Sequence, residues 1–170
     1  MAVIRVENKK SEDAFGTKGN DTIYGDNRWN GLWGEGGNDR IFGGGGDDFL
    51  SGGTGRDTLT SGAGFDRFVF DANPDNANVD VITDYNKKYD SILLADSIFK
   101  GTGKTNDWMK ASAFWQGAKA HDSNDRIIYN PKNGIVYYDS DGTGAKEAVP
   151  VVKLGAGRKM SAADFFIADL

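Results

Sequence analysis

The chain has 170 residues, 24 of them glycine and none cysteine, which excludes disulfides, zinc–thiolate sites and thiol nucleophiles. A net charge of −5 disfavours nucleic acid or anionic membrane as partners and favours cations. No apolar run approaches the length of a membrane span.

Residues 1–15 read as a lead-in. Ala2 to Val6 is either a short edge strand or a frayed terminus, and Glu7 to Asp13 is a polar connection. This end lacks the apolar core of a secretory signal peptide. The protein therefore stays inside the cell or leaves by a route encoded elsewhere in the chain.

From Gly16 the chain repeats six times in blocks of nine: GTKGNDTIY, GDNRWNGLW, GEGGNDRIF, GGGGDDFLS, GGTGRDTLT and SGAGFDRFV. The sixth place holds Asp21, Asn30, Asp39, Asp48, Asp57 and Asp66. The eighth holds Ile23, Leu32, Ile41, Leu50, Leu59 and Phe68. Six turn residues thus alternate with three-residue strands at Thr22–Tyr24, Gly31–Trp33, Arg40–Phe42, Phe49–Ser51, Thr58–Thr60 and Arg67–Val69. The eighth-place side chain points inward. One block is too small to bury that face alone and must stack on its neighbours.

If two blocks make one coil, alternate turns share a side. One side then stacks Asp21, Asp39 and Asp57, and the other Asn30, Asp48 and Asp66. Strands lie about 4.8 Å apart, so stacked carboxylates repel unless a cation sits between them. Calcium suits such a site, because it takes six to eight oxygens in flexible geometry and accepts backbone carbonyls. Magnesium requires stricter octahedral geometry and keeps its waters. The candidate metal-holding residues are Asp21, Asp39, Asp48, Asp57 and Asp66, with first-place Gly16, Gly34, Gly43 and Gly52. Fourth-place Gly19, Gly37, Gly46, Gly55 and Gly64 complete the turns. Turn glycines permit positive φ and let carbonyls point at a shared centre.

The second block departs from the pattern, with Arg28 at the glycine place and Asn30 at the aspartate place. Its site is expected to be weak or empty. Trp29 and Trp33 beside it either form an apolar or sugar-stacking patch, or Trp33 covers the roll and Trp29 is an incidental surface residue.

After Val69, Asp80-Val81-Ile82-Thr83 and Asp90-Ser91-Ile92-Leu93 repeat the ending of a block. They are either a seventh and an eighth turn, stacking Asp80 on Asp57 and Asp90 on Asp66, or an ordinary hairpin. The first reading adds Asp80 and Asp90 to the metal set. It gives a roll over residues 16–94, regular to residue 69, and a cap over 95–170. In the cap a short helix is expected from Asn106 to Phe114, burying Trp108, Met109 and Phe114. Strands follow at Arg126–Tyr129, Ile135–Tyr138 and Ala148–Leu154, the first two joined by NPKNG. Ser161 and Asp164 stand at capping-box spacing.

No catalytic constellation is visible. The lone histidine, His121, lies in a polar stretch, and HExxH, G-x-S-x-G and P-loop motifs are missing. Asp139-Ser140-Asp141-Gly142 starts like an EF-hand loop but carries Pro150 where the closing glutamate belongs, so a β-turn is expected.

The six blocks, followed by FVFD, DVITDY, YDSILL, DRIIYNPKNGIVYYDSDGTG and a terminal DFFIADL, resemble the C-terminal region of RTX proteins. Serralysin-like proteases, alginate-epimerase R-modules and rhizobial calcium-binding proteins share it. The resemblance implies an all-β fold, a parallel β-roll with several calcium ions in its turns, finished by a β-rich C-terminal cap. It also implies secretion from a Gram-negative bacterium by type I machinery, through a C-terminal signal that Asp164-Phe165-Phe166-Ile167 resembles. Calcium and that machinery are the implied partners, and a non-enzymatic module that folds on extracellular calcium is the expected function. An extracellular polysaccharide-binding or adhesin module, or the non-catalytic part of a larger secreted enzyme, is the alternative.

Overall fold

The computed structural model describes residues 1–6 and 12–170. Part of the polar connection expected from Glu7 to Asp13 lies outside the described residues. Ten strands build the roll: β1 (Val3–Arg5), β2 (Asp13–Thr17), β3 (Thr22–Tyr24), β4 (Gly31–Glu35), β5 (Arg40–Gly45), β6 (Phe49–Ser51), β7 (Thr58–Ala63), β8 (Arg67–Phe70), β9 (Asp80–Ile82) and β10 (Ser91–Ala95). Odd-numbered strands stack in one sheet and even-numbered strands in the other, every neighbour in the roll pairing in parallel. Val3–Arg5 is therefore a paired edge strand, and β1 and β2 begin the stack ahead of the first strand of the blocks.

Successive coils repeat at residue i+18, as in Thr22↔Arg40↔Thr58 and Gly31↔Phe49↔Arg67. The eighth-place residues Ile23, Leu32, Ile41, Leu50, Leu59 and Phe68 have no exposed surface. They interdigitate between the two sheets as a narrow apolar core. A three-residue strand buries little alone, so the core exists only as a stack.

The Asp80 and Asp90 segments extend both sheets rather than forming a hairpin. β9 pairs in parallel with β7, and β10 with β8. The cap continues the same sheets through β11 (Asp107–Trp108), β12 (Phe114–Gln116), β13 (Ile127–Asn130), β14 (Ile135–Tyr138), β15 (Val149–Lys153) and β16 (Phe165–Ala168). β15 adds to β9 and β16 to β10, both in parallel. β13, β14 and β15 form an antiparallel run.

The helix expected over Asn106–Phe114 does not form. Asp107–Trp108 pairs with β16 instead, Ala111–Ala113 makes one 3₁₀ turn, and Phe114 opens β12. The β16 edge offers strand pairing to a segment whose apolar residues are too few to cover a helical face. Met109 is buried as expected, Phe114 is partly buried, and Trp108 is 52% exposed. Ser161 and Asp164 do form a capping box, around a 3₁₀ turn at Ala162–Asp164.

Successive turns leave no room for side chains. Gly55 has φ of 127°, and a Cβ there would strike the Gly37 carbonyl oxygen of the preceding coil. Gly19, at the same place in the first block, has no residue stacked so closely; its Cβ would meet only Thr17 Oγ1, at 3.8 Å. Gly55→Ala is therefore expected to cost about 1–3 kcal/mol from backbone conformation alone, more with the clash, while Gly19→Ala is nearly silent. Thermal unfolding of the two variants in calcium checks this.

Candidate metal columns

The sixth-place residues precede each strand, so alternate sheets give two columns. In the first, the Asp39 carboxylate accepts the backbone N–H of Asp21 (2.7 Å), Asp57 that of Asp39 (2.7 Å) and Asp80 that of Asp57 (2.9 Å). In the second, Asp48 accepts from Asn30 (2.8 Å), Asp66 from Asp48 (2.9 Å) and Asp90 from Asp66 (3.4 Å). Each contact uses Oδ1. The step lengthens from 18 residues to 23 and 24 at Asp80 and Asp90, which the segment after Val69 absorbs without losing the alignment.

The second oxygen is the informative one. Oδ2 of Asp39, Asp48, Asp57 and Asp66 is buried and has no hydrogen-bond partner. Burying an anionic oxygen without a donor is costly. Its surroundings offer acceptors: a Cβ placed on Gly34 would lie 2.5 Å from both Asp39 Oδ2 and the Gly52 carbonyl oxygen. The same convergence occurs at Gly43, between Asp48 Oδ2 and the Ser61 carbonyl oxygen. Glycine at the first place thus keeps open a cradle on which a carboxylate oxygen and a backbone carbonyl oxygen converge. A hard cation fits that donor set. Among the described residues no three His, Asp or Glu side chains gather to hold a metal by themselves. Backbone carbonyls therefore have to supply most of the coordination, as calcium permits.

The ends of the columns differ. Asp21 is saturated: Oδ1 accepts from Ala2 N (2.6 Å), and Oδ2 from Thr17 N (2.7 Å) and Thr17 Oγ1 (2.8 Å). The Ala2 amide and Thr17 hydroxyl hold its carboxyl below the usual range. In the second block Asn30 Oδ1 accepts from Asp26 N (2.8 Å), and Arg28 forms an ion pair with Asp26 at 2.7 Å. That turn closes on its own side chains. Asp90 Oδ2 accepts from Asn86 N (2.7 Å).

Burial raises the carboxyls inside the columns. Asp39 is pushed up to about 6, with the charge of Asp21 adding to the effect, and Asp48 to about 7, where Asp66 adds to it. Asp57, Asp66 and Asp80 move the same way, and Asp90 to about 6.

Sequence reading missed a second ladder in the turns. Asn20 Oδ1 accepts from Asn38 N (2.8 Å), and Asn38 Oδ1 from Arg56 N (2.9 Å). Asparagine at the fifth place of the first and third blocks was its visible signal. Asp84, which accepts from Ser61 N (3.1 Å) and Gly62 N (2.8 Å), closes the last turn and has no counterpart in the repeat pattern. Elsewhere, Asp139 Oδ1 binds the amides of Asp141 and Gly142 in a simple turn. His121 stacks on Trp115 with ring centroids 4.4 Å apart. Trp33 packs with Val69 and Leu93 on the outside of the even sheet, and Trp29 meets the Phe49 ring edge-on at 6.1 Å.

A family model for the RTX calcium-binding nonapeptide repeat matches residues 11–27 and 33–68, in four copies. These repeats are of the RTX calcium-binding type. The gap in the match, 28–32, contains Arg28 and Asn30, the two departures in the turn that closes on itself. No curated protein sequence matches the chain. Among solved structures, the AlgE6R3 subunit of the Azotobacter vinelandii mannuronan C5-epimerase is similar at 22% identity, over 96% of this chain and 77% of that one, with a TM-score of 0.45.

Two outcomes follow for the RTX columns. Asp66→Ala, which removes a buried free oxygen, is expected to lower the calcium stoichiometry measured by titration calorimetry. Asn30→Ala is expected to leave it unchanged. The second concerns pH. Carboxyls raised by folding favour the metal-free fold below the unfolded value near 3.9, and that contribution is lost as pH rises through about 6 to 7. In chelator, β structure read by circular dichroism should therefore increase as pH falls from 7.5 towards 4.5. Calcium affinity should fall over the same interval, because protons compete for the same oxygens.

Proposed function

We propose that the chain is a secreted, non-enzymatic module that folds on extracellular calcium and carries a type I export signal near its C-terminus. The observation that carries this reading is the set of buried, unpartnered Oδ2 atoms on Asp39, Asp48, Asp57 and Asp66. Each is a desolvated anion in the metal-free fold when ionised, so folding without a cation is opposed at these four middle rungs. In a low-calcium cytoplasm, repulsion within the columns and the entropy of the turn glycines favour the open chain. At the millimolar calcium found outside cells, sites with affinity of about 10⁻⁴–10⁻³ M fill. Binding then becomes folding, and it propagates from coil to coil.

The proposed export segment supports the same order of events. Phe165 and Ile167 are buried in β16, which pairs with β10, and Asp164 accepts a hydrogen bond from the buried Tyr85 hydroxyl (3.0 Å). A signal in that strand is legible to export machinery only before the strand docks. Export of an unfolded chain and calcium-driven folding afterwards are thus one requirement.

Far-UV circular dichroism in EGTA is expected to show a largely disordered chain, and millimolar calcium a cooperative gain of β structure. Identical spectra in the two conditions would rule the reading out.

A further inference from the structure

Two Asn-Gly pairs occur in the chain, Asn30-Gly31 and Asn133-Gly134. Such a pair is chemically labile, because glycine has no Cβ to shield its amide nitrogen from the preceding side chain. The Gly31 nitrogen attacks Asn30 Cγ, the Cγ–Nδ2 bond breaks, and the Gly31 amide proton leaves with that nitrogen as ammonia. Water then opens the resulting succinimide. Opening at Cγ gives aspartate on an ordinary backbone. Opening at the main-chain carbonyl gives isoaspartate, whose main chain is one methylene longer.

The two pairs sit differently. Asn133 is exposed in the turn between β13 and β14, whereas Asn30 has no exposed surface. Asn30 Oδ1 accepts from Asp26 N (2.8 Å), its Nδ2 donates to the Trp29 carbonyl (2.9 Å), and the Gly31 N–H donates to the Glu12 carbonyl (3.0 Å). Every group the reaction needs is therefore tied and shielded from water in the folded roll. Glu12 belongs to the preceding coil, so this protection exists only when the coils are stacked. Glycine at 31 is itself demanded by that stacking, since a Cβ there would strike Asp13 Oδ1.

The second block also keeps the shape of a metal cradle. A Cβ on Gly25 would strike both the Gly43 carbonyl oxygen and Asn30 Oδ1, the convergence found at Gly34 and Gly43. Arg28 does not fill this space: its guanidinium pairs with Asp26, and 46% of its side-chain surface is exposed. Asn30 N donates to Asp48 Oδ1 at 2.8 Å and so keeps its place in the second column. The rung lacks only a second carboxylate oxygen, because Nδ2 stands in its place.

We propose that Asn30-Gly31 is a deamidation site, open in the calcium-free chain and closed by folding, whose aspartate product completes the second column as a metal-binding rung. In that product an oxygen replaces Nδ2 opposite the Trp29 carbonyl. Acceptor then faces acceptor, a conflict that a calcium ion resolves. The isoaspartate product instead lengthens the main chain at the start of β4, where Gly31 is in register with both Asp13 and Phe49. Time spent without calcium is thus written into one residue of the repeat. The proposal rests on the calcium-folded reading, because protection is assigned to the calcium-loaded roll.

The test incubates the full chain at mildly alkaline pH in calcium, in EGTA, and in EGTA with urea. Peptides containing residues 30 and 133 are followed by mass spectrometry, and folding by circular dichroism. In EGTA and in urea Asn30 is expected to convert within about threefold of the rate of Asn133, and in calcium at least about tenfold more slowly than in EGTA. In urea, Gly31→Ala should slow conversion at 30 about tenfold and leave 133 unchanged. Asn30→Asp, the product made directly, is expected to bind one calcium ion more than the unmodified chain in titration calorimetry. Three results would each overturn the proposal: no conversion of Asn30 in urea, conversion in calcium as fast as in urea, or unchanged stoichiometry in Asn30→Asp. The calcium-folded reading fails separately, if the EGTA chain is already folded by circular dichroism. The comparison of calcium with urea then still decides the deamidation site.

Discussion

Everything in this molecule depends on two columns of carboxylates that fold inward. Each middle rung, Asp39, Asp48, Asp57 and Asp66, satisfies one oxygen with the amide of the coil before it and leaves the other buried without a donor. Water is the solvent those oxygens prefer, and the fold removes it. The interior offers little to compensate, since each coil adds one apolar residue per sheet to a narrow core. A cation that replaces the lost water is the natural resolution, and the glycine cradles at Gly34 and Gly43 are shaped for one.

The stack is also graded along its length. Its first rungs, at Asp21 and Asn30, are closed by local donors and ask little of a metal. Its middle rungs carry the free oxygens. Its last rungs, at Asp80 and Asp90, run into the cap, where β15 and β16 extend both sheets. The cap holds together by its own means: the Tyr85 hydroxyl donates to Asp164, and Arg158 donates to the Tyr85 carbonyl at 2.7 Å. A terminal repeat needs such a closing unit, because an unpaired coil end exposes both apolar core and strand edge.

The two sheets have parted roles despite one repeat. Position nine of the blocks points outward in both, yet Tyr24 and Phe42 on the odd sheet stack on each other at 5.1 Å under Arg5. On the even sheet a row of rings continues past the repeats into Phe166 and Trp108, and Arg67 and Lys88 beside it lie against aromatic rings. The repeat specifies a scaffold. What that scaffold displays is decided at positions the metal does not use.

The nine-residue period, with an acid at the sixth place and an aliphatic or aromatic side chain at the eighth, by itself determined strand positions and inward faces. The pairing of alternate blocks followed from it only if two blocks make one coil, as the structure shows they do. Strand period and turn chemistry are local properties, and a repeat makes them unambiguous. Arg28 and Asn30 were legible as a defect for the same reason. Only the tertiary structure decided that Asp80 and Asp90 prolong the stack, since a variable insertion hides register that only pairing with β7 and β8 restores. It also decided that Asn106–Phe114 forms a two-residue strand and a 3₁₀ turn rather than an α-helix, because the edge of β16 overrides a local preference. The free Oδ2 atoms and the aromatic row belong to the tertiary structure as well, for each is a relation between residues about 18 or more positions apart.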